Sequence, residues 1–280
     1  MKHGWQRVIG IVGGLGPHAH IELERRLLAA VAESSGDQDY PEWVVSSLPS
    51  TPDRTEALLG RGASPVPALV RSLETLAQRA DFALIACITA HAFLEDVQAR
   101  VQLPILDLVT ATLGAAVEGW GERARIGVLA TSGTIQCGLF PRVAHRVAPG
   151  LEVFSLPDLP GGWNLQEELV MRPIYGPLEA GKRLGGGVKS GGTLDLRTGV
   201  PHSESLARAV RLLGDVGVSC VITGCTEIPL ALDPATCTCL PLLDPLEVAA
   251  RVAVEIARGD LPLPRKARFQ GRFAEHEEKE

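Results

Sequence analysis

The sequence has no excess of basic residues: 27 Lys and Arg stand against 33 Asp and Glu in 280 residues, a formal charge of −6. Without that excess little is available to neutralise a phosphate backbone, so no nucleic-acid partner is expected. Also missing is an apolar run approaching the ~20 residues that cross a bilayer. The opening residues carry only a short apolar stretch at 8–12, interrupted by glycine, with no signal-peptide pattern. No membrane partner and a cytoplasmic location are therefore expected. Zinc spacing is absent too, because Cys237 and Cys239 form a C-x-C with no second pair nearby; no metal is expected. Disulfides are not expected in a cytosolic chain of this size. What is present is length and hydrophobicity, 45% of residues, enough for one large domain or two smaller ones around a buried core.

Short apolar runs at residues 8–12, 43–46, 82–86, 105–106, 125–130, 151–154, 218–223 and 240–243 read as strands. Amphipathic stretches at 20–34, 65–79, 92–100, 138–147, 203–216 and 245–258 read as helices. The alternation predicts an α/β fold with parallel sheets covered on both faces. The two halves also match each other. Residues 83–89 (ALIACIT) answer 220–226 (CVITGCT), and each is followed by Leu-Pro-aliphatic-Leu-Asp, ending at Asp107 and Asp244. The cysteine-to-aspartate intervals are nearly equal, which predicts two pseudo-symmetric Rossmann-like lobes with the active site between them. The expected division is 1–112 plus 229–264 for the first lobe, with a returning C-terminal helix, and 113–228 for the second. The glycine-rich stretch 182–201 reads as a mobile loop, and 265–280 as a charged, solvated tail.

Cys87 and Cys225 thus occupy mirrored positions, each after an apolar strand and before a helix start. Ligands in open α/β sheets bind at the carboxyl ends of strands, where a helix N-terminus also favours a thiolate. Two weak acid/bases facing one crevice from opposite lobes suit inversion of a carbon acid, in which one face loses a proton while the other gains one. Thr89 and Thr226 follow the cysteines and can supply hydroxyls or cap helices. Cys137, Cys220, Cys237 and Cys239 read as packing, and Asp107 and Asp244 as helix caps.

Residues 9–17 (IGIVGGLGP), 52–55 (PDRT), 87–91 (CITAH), 127–134 (GVLATSGT) and 224–229 (GCTEIP) resemble the aspartate/glutamate racemase family, nearest its aspartate racemase branch. The resemblance runs in order from about residue 7 to 257. It implies a cofactor-independent, homodimeric amino-acid racemase whose paired acid/bases are Cys87 and Cys225. It further implies that Arg54 holds a substrate carboxylate, for which its planar fork is suited. Thr89, Thr226, Thr131 and Gly14 join the expected substrate-binding set. His91 and Glu227 are expected as supporting residues, His91 by orienting the site rather than transferring a proton.

Three positions depart from the family pattern. Ile88 replaces an Asn beside the first cysteine, Leu48 replaces another before PDRT, and Glu179 stands where a substrate-binding lysine is expected. Ile88 and Glu179 therefore count as altered substrate-site residues, with Lys182 or Arg183 as candidates to compensate. Together they suggest a small carboxylate-bearing substrate that is bulkier and less acidic than aspartate. The rival readings are isomerisation, decarboxylation, lyase or cyclisation chemistry on a small organic acid, and a non-catalytic ligand-binding protein. The stretch 14–19 also fits G-x-G-x-x-A, but the acidic residue required at the end of the second strand is replaced by 46–48 (SSL), which argues against a dinucleotide site.

Overall fold

A computed structural model describes residues 4–31, 34, 36–233 and 240–265. In the first lobe β1 (Ile9–Gly13), β2 (Trp43–Ser47), β3 (Phe82–Ile85) and β4 (Ile105–Leu106) form a parallel sheet ordered β2-β1-β3-β4. The second lobe opens with β5 (Arg125–Leu129) and β6 (Glu152–Phe154). A small antiparallel hairpin follows, β7 (Leu178–Glu179) with β8 (Lys182–Arg183). Then β9 (Cys220–Thr223) and β10 (Leu242–Leu243) complete a parallel sheet ordered β6-β5-β9-β10, the same arrangement as in the first lobe. The internal repeat in the sequence is thus a repeat of topology. Central strands β1, β3 and β9 are buried along their whole length, which explains their unbroken apolar runs.

The helix after each fourth strand crosses to the other lobe. Leu108–Trp120 starts at Asp107, whose Oδ1 accepts from the N–H groups of Val109 (3.0 Å) and Thr110 (3.2 Å). Pro245–Arg258 starts at Asp244, whose Oδ1 accepts from Leu246 N–H at 2.9 Å. Each carboxylate satisfies donors that the first helical turn would leave unpaired. Leu108–Trp120 packs on Leu139–Val147 of the second lobe, Pro245–Arg258 on Pro17–Ala30 of the first, and the two crossing helices on each other. One continuous core therefore includes Ile9 and Leu84 from the first sheet, Ile126 and Ile222 from the second, and Leu113 and Ala253 from the crossing helices.

The division expected from sequence needs one correction. The segment after residue 229 does not return directly to the first lobe, because β10 pairs with β9 at the edge of the second sheet. The chain returns only with Pro245–Arg258. The glycine-rich stretch is also more structured than its composition suggests. It contains β8, a 3₁₀ turn at Val188–Ser190 and a bridge between Leu194 and Pro201. A Cβ at Gly192 would fall inside the radius of the Gly186 carbonyl, so these glycines permit close backbone packing rather than looseness. Cys237, Cys239 and residues 266–280 of the tail lie outside the described residues.

Candidate active site

Both mirrored cysteines arise from the same local event. A strand ends and the chain turns tightly, with Cys87 N–H donating to Ile85 O at 2.7 Å and Gly224 N–H to Ile222 O at 2.9 Å. Glycine at 224 suits this turn, since a Cβ there would press on the Phe140 and Val128 side chains at 3.0 Å. Cys87 and Cys225 are buried and border one small cavity between the lobes, together with Arg54, Thr89, Thr131 and Thr226. Ile88 also lines it, at the position where a polar residue was the family expectation. The cavity is about 10 Å³, room for about one water molecule. All four described cysteines are free thiols; Cys220 is packed in the core and Cys137 is half-buried.

Arg54 opens a short helix, Arg54–Leu58, capped by Asp53, whose Oδ1 accepts from Glu56 N–H at 3.0 Å. Its guanidinium donates to the carbonyls of Pro52 (3.0 Å), Thr51 (3.3 Å) and Leu15, while Nε has no partner. Burial opposes its charge, but Cys87 first and Asp53 next outweigh that and hold the group cationic. A buried cation with an unused donor beside a thiol is suited to receive a carboxylate.

The second thiol has a different neighbour. Cys225 Sγ donates to Glu227 Oε2 at 3.1 Å, and Thr226 Oγ1 donates to the same oxygen at 3.0 Å. Burial, and then the Glu227 carboxylate, push the Cys225 thiol well above the ordinary range. Lys189 Nζ lies 3.9 Å from Glu227 Oε1 and 4.8 Å over the Tyr175 ring. Burial opposes the ammonium charge, but Glu227 and then Tyr175 overcome it and raise the Lys189 pKa. Gly16, from the turn after β1, leaves space for this carboxylate, because a Cβ there would collide with Glu227 Oε1.

Buried hydroxyls tie the lobes together behind the thiols. Thr89 and Thr131 lie 3.2 Å apart, Thr134 donates to Thr89 at 2.9 Å, and Thr55 donates to Thr131 at 3.1 Å. The Tyr175 hydroxyl reaches Thr55 Oγ1 at 3.4 Å, and burial pushes the phenol up to about 12. His91 acts from behind the cavity. Its Nε2 accepts from Leu108 N–H at 3.2 Å, so Nδ1 carries the proton and donates to Cys87 O at 2.9 Å. It thereby fixes the Cys87 backbone to the first turn of a crossing helix.

Two residues expected at the site lie elsewhere. Gly14 does not border the cavity; its φ of 80° and its close approach to the backbone of Leu48 and Pro49 make it a turn residue. Glu179 is exposed on β7 and paired with Arg197, because the hairpin turns that face outward. Neither Lys182 nor Arg183 compensates, and Arg183 pairs with Glu167 outside the cavity. The cation that joins Arg54 at the site is Lys189, which the sequence hid inside a glycine-rich stretch. Thr55, the last residue of PDRT, and Tyr175 also line the cavity, and no motif in the sequence assigns either of them a role.

Residues 12–157, just over half the chain, match the family model described as Asp/Glu/Hydantoin racemase. A broad specificity amino-acid racemase of Bacillus subtilis is 24% identical over 139 residues, 49% of this chain and 60% of that protein. A glutamate racemase of Desulforudis audaxviator is 26% identical over 181 residues, 63% of this chain and 56% of that protein. The chain thus spans little more than half the length of these curated relatives. Among solved structures, Picrophilus torridus aspartate racemase superposes with a TM-score of 0.70 at 20% identity, covering 91% of this chain and 95% of that one, a likeness of fold.

Proposed function

The chain belongs to the Asp/Glu/Hydantoin racemase family, and on that premise we propose that it is a cofactor-independent amino-acid racemase using Cys87 and Cys225 as its acid/base pair. The observation that carries this reading is that both thiols border one buried cavity beside Arg54. Arg54 holds the substrate carboxylate. Cys87, acting as a thiolate, takes the α-proton, and the C–H electron pair is delocalised into that carboxylate. The Cys225 thiol then donates its proton to the opposite face. The reverse reaction exchanges the two roles, so no electrons are gained or lost. Glu227 keeps the proton on Cys225 until the carbanion forms, and its pairing with Lys189 holds it in register. A site sealed from water strengthens the Arg54–carboxylate interaction at the moment charge develops. The broad specificity relative in B. subtilis supports the amino-acid class without fixing the side chain. A cytoplasmic setting, where thiols stay reduced, and a homodimeric assembly complete the proposal.

Replacing either cysteine alone tests it. Cys87→Ser and Cys225→Ser should each lower kcat for inversion by at least about 100-fold, the scale of losing one general acid or base. A one-base isomerase or decarboxylase would keep near-normal turnover in one of the two variants, as measured by polarimetry or product analysis. A non-catalytic binding protein would turn over no amino acid in any form.

A further inference from the structure

The catalytic cavity is far too small for an amino acid, yet a much larger space adjoins it. A groove of about 850 Å³ opens beside the cavity, in the size range of small-molecule sites. Thr55 and Tyr175 border both spaces, and their 3.4 Å hydroxyl contact joins the first lobe to the second. Resting on the racemase reading, we infer that this groove is the side-chain subsite and that the substrate carries a long, uncharged side chain reaching it past Tyr175.

Charge accounting sets the side-chain class. In the catalytic cavity Lys189 is matched by Glu227, which leaves Arg54 as the cation available for a single carboxylate. In the groove Arg61 is paired with Glu56 at 2.8 Å and Arg183 with Glu167. Asp53 adds a third carboxylate to that wall, but it caps Arg54–Leu58 and faces the Arg54 charge, so neither a second acidic group nor a basic one on the substrate would meet an uncompensated partner there. Among the other lining residues Leu59, Met171, Trp163 and Leu178 offer apolar contact, and Trp163 and Leu178 are 47% and 45% exposed. Ile88, apolar and lining the cavity, continues the same character inward. A long neutral side chain would bury this apolar surface, while its carboxylate stays on Arg54.

The test measures α-proton exchange in deuterated buffer with aspartate, glutamate, alanine, lysine, methionine and leucine, each as both enantiomers. Methionine or leucine should exceed aspartate in kcat/KM by at least ten-fold. Ser132→Trp, which fills the groove, should lower the methionine-to-alanine ratio by at least ten-fold. Leu178→Arg, at an exposed position, should lower it in the same direction and covers the case in which Ser132→Trp fails to fold. Preference for aspartate or lysine, or a ratio that neither variant moves, would overturn the subsite. Exchange with no member of the panel would instead overturn the racemase reading beneath it.

Discussion

A carboxylate that accepts a hydrogen bond from a buried thiol keeps the proton on sulfur, because losing it would set two negative charges side by side. That is the position of Cys225 against Glu227, whereas Cys87 faces the guanidinium of Arg54. The mirrored cysteines are therefore chemically unequal. Glu227→Gln removes the charge that raises the Cys225 pKa and leaves Lys189, which lowers it, unopposed. The thiol should then titrate at lower pH. In the direction that needs Cys225 protonated, the alkaline fall of kcat/KM should move down by about one pH unit or more. A pH–rate profile that keeps its alkaline limb would show that Glu227 does not govern this proton. At this scale the sequence was informative where chemistry repeats: both cysteines, Arg54, Thr89, Thr131, Thr226 and Ile88 were legible from motifs and do line the cavity. Glu179 was misjudged because its family position is set by a hairpin whose direction no local pattern encodes.

The element that supplies Lys189 is the stretch 182–201, and its glycines set its path. Gly187 packs against Ile174 O and Gly192 against Gly186 O, while Asp195 closes the next turn. Burial works against the Asp195 charge, but the N–H groups of Thr198 and Arg197, with Arg172, overcome it and lower the pKa. Composition alone read this stretch as a mobile loop, since glycine-rich sequence signals freedom unless tertiary contacts use the missing side chains. Gly192→Ala should displace the segment and withdraw Lys189 from Glu227. We expect kcat/KM to fall at least ten-fold with a stability cost of about 1–3 kcal/mol, the usual range for overpacking. Thermal midpoint and steady-state kinetics check the two effects separately. Unchanged kinetics with only a lowered midpoint would assign the segment a purely structural part.

For the molecule as a whole, the repeat in sequence predicted the two lobes, their parallel sheets and the crevice between them. A returning C-terminal helix was expected, but the matching passage of Leu108–Trp120 onto the second lobe was not, because an apolar helical face does not specify which lobe will bury it. The exchange matters for function. A single core runs through both sheets and both crossing helices, so the lobes are held as one body and the thiols keep a fixed relation. Where the cavity and the groove adjoin, Tyr175 and Thr55 border both spaces and one long hydroxyl contact joins them. Neither feature has a signature in single residues, since both depend on which surfaces meet after the chain has folded.

Proton labelling by opposite lobes is the most direct measure of the central claim. One enantiomer of a turned-over amino acid is incubated in deuterated buffer, and deuterium at Cα is followed in substrate and product at early times. Two thiols on opposite faces predict that the inverted product carries solvent deuterium while the remaining substrate keeps its original hydrogen. Equal deuterium in both enantiomers from the first turnovers would mean that one group serves both faces, and would contradict the account.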